Sequence, residues 1–506
     1  MELFNNISMA FSIGCEPTNL LMCFLGVFIG TLTGVLPGIG CTGAICLLLP
    51  ITFALNPTQA IIMLAGVYYG VMYGGSTTSI LLNVPGEATS MITCLDGYPM
   101  AKQGRAGPAL GISAFGSFIA GTFSVVMLMI FGPILAKMAL KFGPPEFFAI
   151  TFLGLVFVTF LGSGSMLKSL MMAAFGILIG CIGIDPIQGS KRYTFNFIVL
   201  ADGVNLIPVM MGLFGVAEVL RTIEETFKER EFFKTRTKEL LPTKQDWKDS
   251  AGAIVRGTLA GFFFGIIPGG GGMLASLMSY TIEKRISKHP ERFGTGVIEG
   301  VAGPETANNA GAGGSFIPLL TLGLPCNATM AVLMGAFIIH GISPGPLLVT
   351  EHPDLFWGVV GSMYIGNIML LVLNLPLIGI WVKILKVPYI ILFPLIFLFC
   401  IIGSYSLNNS LWDVCLMIIF GVLGYIMKKY GYEAAPLIMA LVLGPMAEEG
   451  LRISLTISHG DPLIFFYRPI SAIFLILAIL ILCSPLILNL LGMKRPGSLK
   501  EGGDEF

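Results

Sequence analysis

Three glycines near the N-terminus have the spacing of a dinucleotide-binding loop. Residues 34–45 read GVLPGIGCTGAI, in which Gly38, Gly40 and Gly43 form the pattern G-x-G-x-x-G. That pattern binds a pyrophosphate when it follows a strand, opens a helix and is followed about 20 residues later by an acid that holds the ribose. The chain has no Asp, Glu, Lys or Arg between Glu16 and Glu87, so the acid is missing. The glycines therefore need a different explanation.

The sequence has no cluster with the spacing of a catalytic or metal site. The ten cysteines are scattered without a C-x-x-C pair, and the four histidines lack a metal-binding spacing. The phosphate loop G-x-x-x-x-G-K-[ST] and the acidic D-D-x-x-D pattern of lipid-modifying transferases are also absent. Glu433-Ala434-Ala435 resembles the loop by which ATP-driven permeases dock their ATPase, but no glycine follows before Gly444. We therefore expect neither an enzyme nor a cofactor or metal.

The composition is that of a polytopic membrane protein. Only 11% of the 506 residues are charged, against about 25% in soluble domains. Long apolar segments recur along the chain, at 19–36, 108–135, 147–162, 355–382 and 470–492. Since roughly 20 apolar residues span a bilayer, we predict an all-α protein of about 12 spanning or partly spanning helices. The formal net charge of zero gives no reason to expect a nucleic-acid partner.

The opening motif occurs twice, which indicates an internal duplication. Residues 30–40 and 261–271 both read G-x-x-x-G-[VI]-[LI]-P-G-x-G, with Pro37 and Pro268 separated by 231 residues. A second block follows each motif: Gly-Gly-Ser at 74–76 and 313–315, then V-P-G-E-A-T and L-P-C-N-A-T, whose prolines are 240 residues apart. A weaker third match pairs 162–165 with 403–406. We therefore predict a first membrane repeat at 1–221 and a second at 251–493.

A polar stretch separates the predicted repeats. Residues 222–250 carry seven Lys or Arg and seven Asp or Glu, with no apolar run of membrane length. We expect a helical, cytoplasmic linker there, because Lys and Arg concentrate on that side of membranes. Residues 494–506 form a polar C-terminal tail.

Pro-Gly pairs inside apolar segments indicate broken or re-entrant helices. Such breaks leave backbone groups unpaired, which is tolerated only where protein or a water-filled cavity satisfies them. Matching breaks in two repeats are typical of a transporter's substrate site. The alternative is that the glycines only let helices pack closely.

Several motifs together resemble one family. These are the Gly-Pro-Gly block at 34–40, A-G-P-E-T-A-N-N-A at 302–310, G-P-M-A-E-E-G-L-R at 444–452, G-D-P at 460–462 and R-P at 468–469. From about residue 20 to 490 the chain is similar to the large membrane subunit of the tripartite tricarboxylate transporters, the TctA family.

The resemblance implies a multi-pass protein of the bacterial inner membrane and a secondary active transporter, or symporter, for citrate or other carboxylates. It also implies a small membrane subunit with about four helices, a periplasmic substrate-binding protein and coupling to a sodium or proton gradient. A stand-alone ion-coupled carboxylate transporter or a channel is the alternative that the residues leave open, and an intramembrane enzyme lacks support.

An anionic substrate can be held by backbone N–H groups at helix N-termini, with hydroxyl and amide side chains nearby. Helix-to-helix hydrogen bonding is the alternative role for such side chains. The candidate binding residues are Gly38, Gly40, Ser76, Thr77, Thr78, Asn83, Thr89, Gly269, Gly270, Gly271, Asn308, Asn309, Ser315, Asn327 and Thr329.

Two charged residues have alternative roles. Glu305 is an ion-coupling candidate, because intramembrane acids mark ion pathways. It also follows Gly303-Pro304, so it could instead lie at a helix N-terminus, where the helix dipole would stabilise its charge. Arg452 could pair with a substrate carboxylate, or with Glu448 or Glu449.

Loop charges favour an inverted arrangement of the repeats. Residues 38–66 have no Lys or Arg, whereas the equivalent 269–300 contain four. The bias reverses after the second block, since 86–107 contain Lys102 and Arg105 and 326–353 have neither. A third comparison, of Lys137 and Lys141 with the later basic pair at 383 and 386, has no reversal. Inverted repeats with a site near the membrane midplane are therefore expected.

Overall fold

The computed structural model describes residues 2–36, 40–161, 165–224, 240–267, 271–384 and 389–490. These residues are nearly all helical, which confirms the predicted class. Within the described ranges the helices are interrupted by one pair of antiparallel strands, β1 (Gly183–Ile184) and β2 (Lys191–Arg192).

The helices before residue 240 are, in chain order, α1 (Glu2–Gly14), α2 (Pro17–Val35), α3 (Gly40–Thr52), α4 (Pro57–Leu82), α5 (Cys94–Lys102), α6 (Ala106–Ala139), α7 (Pro144–Leu161), α8 (Met166–Gly180), α9 (Leu206–Met210) and α10 (Ala217–Glu224). A π-helical stretch, Met211–Val216, joins α9 to α10, and 3₁₀ turns occupy Ala88–Met91, Ile198–Leu200 and Pro290–Arg292.

The later helices are α11 (Lys244–Ile266), α12 (Gly271–Ile286), α13 (Glu299–Gly314), α14 (Phe316–Leu322), α15 (Ala328–Ile339), α16 (Leu348–Glu351), α17 (Pro353–Asn374), α18 (Ile378–Ile384), α19 (Tyr389–Asn408), α20 (Leu411–Lys429), α21 (Ala434–Ile457), α22 (Ile464–Tyr467) and α23 (Pro469–Leu490).

Six helices in the described ranges are long and apolar enough to cross a membrane: α2, α4, α6, α17, α20 and α21. Shorter apolar helical segments accompany them, at Gly40–Thr52, Pro144–Phe160, Met166–Gly180, Ala328–Ile339, Ile396–Asn408 and Pro469–Cys483. The chain is thus a multi-pass membrane protein, and the figure of about 12 helices stays a prediction.

A row of glycines lets α2 lie directly against α4. A Cβ atom built on any of three glycines would fall 2.2–2.5 Å from a backbone carbonyl oxygen of α4, which is closer than any real Cβ contact. The pairs are Gly26 with Met63, Gly30 with Val67 and Gly34 with Val71. Only glycine permits this separation of the helix backbones, as in other close membrane helix pairs.

The second half repeats this contact between α11 and α13. Cβ atoms on its three glycines would lie 2.3–2.5 Å from carbonyl oxygens of α13. The pairs are Gly257 with Gly303, Gly261 with Ala307 and Gly265 with Gly311. The glycines of the two rows are 231 residues apart and their carbonyl partners 240 apart, the same separations as the two proline pairs.

These contacts correct one detail of the predicted repeat. Gly74 packs against the carbonyl oxygen of Thr31, and Gly314 packs against that of Phe262, 231 residues further on. Gly74 therefore corresponds to Gly314, whereas the matching letters Gly-Gly-Ser align it with Gly313. Ser76 and Ser315 consequently do not occupy equivalent places, and the structure gives them different partners.

Each half has left-handed backbone at two corresponding positions. Gly40 (φ +66°) begins α3, and Gly271 (φ +55°) begins α12. Asn83 (φ 56°) ends α4, and Gly323 (φ 69°) ends α14. Glycine adopts this conformation freely and asparagine more readily than most residues, which explains these residue types at the chain breaks.

The predicted linker is partly helix of the second half. Its first residues end α10 at Glu224, and residues 225–239 lie outside the described ranges. α11 begins at Lys244, so the predicted boundary at residue 251 falls inside this helix. Thr243 and Asp246 form a capping box that fixes this start, because each side chain accepts a hydrogen bond from the other residue's backbone N–H.

Candidate functional site

The site is built around α13, whose residues from Gly300 to Gly314 are all buried. α4, α5, α6, α11 and α12 all pack against it. Its polar side chains Glu305, Asn308 and Asn309 are 0%, 0% and 4% exposed. Burial of polar groups is costly unless they find partners, so each has to be accounted for.

Glu305 is enclosed by hydroxyl groups from three different segments, namely α4, the turn before α5, and α6. Its Oε2 accepts hydrogen bonds from Ser76 at 2.5 Å and from Ser113 at 3.3 Å, and its Oε1 accepts one from Thr93. Within the described residues, no Lys, Arg or His side chain pairs with it. A buried carboxyl group with neutral partners only can take up a cation or a proton.

The expectation that Glu305 could lie at a helix N-terminus is wrong. α13 starts at Glu299 and continues through Pro304, so Glu305 lies in its second turn. The dipole of a helix stabilises charge mainly within its first turn. The three hydroxyl groups, rather than the helix end, are therefore the partners of this side chain.

Serines of α6 also contact the polar part of α13 from Glu305 to Asn309, which with its partners is called the centre below. These serines were not predicted from the sequence. Asn309 Nδ2 donates to Ser117 Oγ at 2.7 Å, and Ser124 Oγ donates to the carbonyl oxygen of Ala310 at 3.0 Å. With Ser113 they form one stripe at helical spacing on a mostly apolar helix. That spacing was the available signal in the sequence.

The first turn of α12 meets Asn308 and Thr89. A Cβ on Gly272 would lie 2.8 Å from Asn308 Oδ1 and 2.9 Å from the Thr89 methyl group. Neither Oδ1 nor Nδ2 of Asn308 has a hydrogen-bond partner among the described residues. The amide of Asn308 is therefore aimed at the start of α12 with its hydrogen-bonding capacity unused.

The first turn of α3 has a carboxylate partner. Glu87 Oε2 accepts a hydrogen bond from the Cys41 backbone N–H at 2.7 Å. Glu87 is in turn held by a reciprocal capping interaction with Ser90. An acid at a helix N-terminus complements the unpaired N–H groups and the dipole there. Glu87 was not among the site residues predicted from the sequence.

Hydroxyl and amide groups join the two halves beside these helix starts. Thr42 Oγ1 and Thr329 Oγ1 are hydrogen-bonded at 2.8 Å, and Asn327 Nδ2 donates to Tyr68 Oη at 3.2 Å. Asn327 Oδ1 also accepts from the Met330 N–H at 2.9 Å and so caps α15. Thr89 and Thr329, which correspond in the predicted repeat, thus each lie beside the start of a helix of the other half.

The remaining candidates lie nearby or outside this centre. Thr77 and Thr78 are buried on α4, where Thr78 donates to the Gly75 carbonyl oxygen, and Ser315 donates to the carbonyl oxygens of Gly265 and Gly311. Asn83 is exposed at the end of α4, and no hydrogen bond of the described residues links its side chain to the centre. Gly38, Gly269 and Gly270 lie outside the described residues.

Arg452 belongs to a separate ionic cluster. It donates to Asp185 at 2.7 Å and to Glu448 at 3.1 Å, and Arg192 donates to Glu448 at 2.6 Å. Burial opposes the ionisation of Asp185, but hydrogen bonds from Arg452 and from its own turn outweigh it and lower the pKa of Asp185 to about 2. The predicted pairing of Arg452 with Glu448 is confirmed, and Asp185 is an additional partner.

Neutral donors therefore converge where the two halves meet: helix N-terminal N–H groups, amides and hydroxyls. Such groups bind anions without needing a fixed positive charge. The same chemistry occurs around discontinuous helices of secondary transporters, where substrate carboxylates meet helix N-termini.

The chain also resembles known proteins over most of its length. The model of the "Tripartite tricarboxylate transporter TctA family" matches residues 20–439. A protein of Agrobacterium vitis described as an uncharacterised 52.8 kDa protein in the TAR-I ttuC' 3' region is 50% identical over 472 residues, which cover 93% of this chain and 94% of the relative.

A second Agrobacterium vitis protein, described as an uncharacterised protein in the TAR-II ttuC' 3' region, is 55% identical over 212 residues. That match covers 42% of this chain and 88% of the relative. No solved structure matches the chain. The family match extends over nearly the whole chain, from α2 to α21, and includes both helix breaks and α13. The chain therefore belongs to the tripartite tricarboxylate transporter TctA family.

Proposed function

We propose that this chain is the large transmembrane subunit of a binding-protein-dependent secondary transporter for tricarboxylates or related carboxylates. The observation that carries the proposal is the meeting of two equivalent chain breaks. The start of α3 contacts Thr329, and the start of α12 contacts Thr89. Paired interrupted helices from two repeats are the usual frame of a transporter's substrate site.

In this proposal the two halves are inverted repeats, and the substrate lies between them near the midplane. The matched glycine rows and matched left-handed residues support the duplication. Direct substrate contacts are assigned to the start of α12 and to the polar side chains around α13. This set includes Thr89, Asn308, Asn309, Asn327 and Thr329. Ser76, Thr77 and Thr78 of α4 belong to it as well.

Glu305 is the coupling group in this mechanism. Its carboxyl group is fully buried and, among the described residues, has hydroxyl partners only, so an uncompensated charge there is costly. Binding a proton or a sodium ion would remove that cost. The same helix carries Asn308 and Asn309, so cation binding at Glu305 can influence the substrate residues one turn away.

The family name supports two partners, a small membrane subunit and a periplasmic substrate-binding protein, with the complex in the bacterial inner membrane. The test is uptake of radiolabelled citrate and other carboxylates into proteoliposomes, with each protein omitted in turn. Saturable uptake should require both membrane subunits and the binding protein. High-affinity uptake by this chain alone would favour a stand-alone transporter.

A further inference from the structure

The two equivalent helix starts differ in one residue that has a large electrostatic effect. In the repeat, Glu87 of the first half corresponds to Asn327 of the second, because V-P-G-E-A-T aligns with L-P-C-N-A-T. The Glu87 carboxylate accepts the N–H of Cys41 in the first turn of α3. This helix start already has an acidic acceptor, and that acceptor is part of the protein.

At α12 the corresponding acidic acceptor is missing. Gly272 is the equivalent of Cys41, and its N–H donates to no acceptor among the described residues. Glu87 Oε2 lies 3.6 Å from the position of a Cβ on Gly40, and the Cβ of Asn327 lies 3.9 Å from that of a Cβ on Gly271. Corresponding residues therefore lie beside the two helix starts. Asn327 brings an amide to this place, where Glu87 brings a carboxyl group.

A second observation points to a ligand at the same place. Asn308 is fully buried, both its side-chain polar atoms lack partners among the described residues, and it faces Gly272. An unsatisfied buried amide is costly and rare in native proteins. Its two ends have nearly the same shape, so a half-turn of the side chain presents Nδ2 as a donor.

We propose that one carboxylate group of the substrate binds at the first turn of α12, where it accepts hydrogen bonds from the Gly272 N–H and the Asn308 amide. Glu87 occupies the corresponding place at α3 and excludes a second substrate carboxylate from it. This inference rests on the proposed function and assigns its site one anion-binding position. The helix end supplies about half a positive charge, so the position selects a carboxylate over a neutral group.

The sharpest test adds a charge without changing shape. Asn327→Asp keeps the cap of α15, since a carboxylate also accepts the Met330 N–H, but places a negative charge beside the start of α12. Asn56→Asp is its matched control, because Asn56 caps α4 through the Gln59 N–H at the same 2.9 Å and is exposed. Asn308→Ala removes the unsatisfied amide.

Binding is measured on the purified full-length chain by equilibrium dialysis with radiolabelled acetate, succinate and citrate. The dissociation constant of the tightest-binding probe should rise at least about tenfold in Asn327→Asp and Asn308→Ala, as for loss of a hydrogen bond to a charged group. Asn56→Asp should bind as the wild type does. The inference would be overturned if both site variants bound the probe with the wild-type dissociation constant. It would also be overturned if the wild type bound none of the probes. A chain that binds a probe but supports no uptake with its partners would contradict the proposed function instead.

Discussion

Two substitutions of Glu305 separate its effect on stability from its effect on transport. In Glu305→Gln the side chain keeps its size, and the surrounding hydroxyl groups can still be satisfied because each both donates and accepts. We expect a change in unfolding free energy below about 1 kcal/mol. In Glu305→Ala three buried hydroxyl groups, those of Ser76, Thr93 and Ser113, lose their acceptor. At about 1–3 kcal/mol for each unsatisfied group, the loss is roughly 3–9 kcal/mol, a large part of a typical total stability.

Thermal unfolding in detergent and uptake into proteoliposomes measure the two effects separately. Glu305→Gln should unfold near the wild-type temperature, yet its uptake should no longer respond to an imposed sodium or proton gradient. Glu305→Ala should be clearly less stable. Wild-type gradient dependence in Glu305→Gln would refute the coupling role. Wild-type stability of Glu305→Ala would refute the hydrogen-bond reasoning.

Three further predictions follow from the packing, the ionic cluster and the loop charges. Gly30→Val should lower the unfolding temperature by the equivalent of about 1–3 kcal/mol, as overpacking does, whereas Gly379→Ala, with open space around it, should not. The pKa of Asp185 is lowered from 3.8 to about 2. The stability that its charge contributes is therefore present above pH 4 and is lost as the pH falls towards 2. Asp185→Asn should weaken this acid dependence, as measured by unfolding at several pH values. Single cysteines near Asn56 and Ser287, in a background without native cysteines, should react with an impermeant thiol reagent from outside and from the cytoplasmic side, respectively; reaction from the same side would exclude inversion.

Local sequence was sufficient to single out the segments before α3 and α12 and the polar run inside α13. Proline and glycine impose their backbone constraints wherever they occur, so the motifs at 30–40 and 261–271 indicated the breaks directly. The run from Glu305 to Asn309 was conspicuous because acids and amides are rare in apolar segments. The family resemblance then supplied a carboxylate as the expected ligand.

Contacts between distant segments could not be predicted in this way. Ser113 and Ser117 lie 192 residues before their partners on α13, and serines on an apolar helix usually bond within the helix. Glu87 was overlooked because its role depends on a contact with the start of α3, 46 residues earlier in the sequence. The register of the repeat was misjudged by one residue because identical letters, Gly-Gly-Ser, were aligned instead of the positions that pack against α2 and α11.

The most direct test of a secondary transport mechanism is concentrative uptake. Proteoliposomes with both membrane subunits and the binding protein are given a fixed external concentration of the tightest-binding carboxylate under an imposed sodium or proton gradient. The internal concentration should rise above the external one and fall back when an ionophore dissipates the gradient. Uptake that stops at equal concentrations, with or without the gradient, would contradict ion-coupled transport and favour a channel.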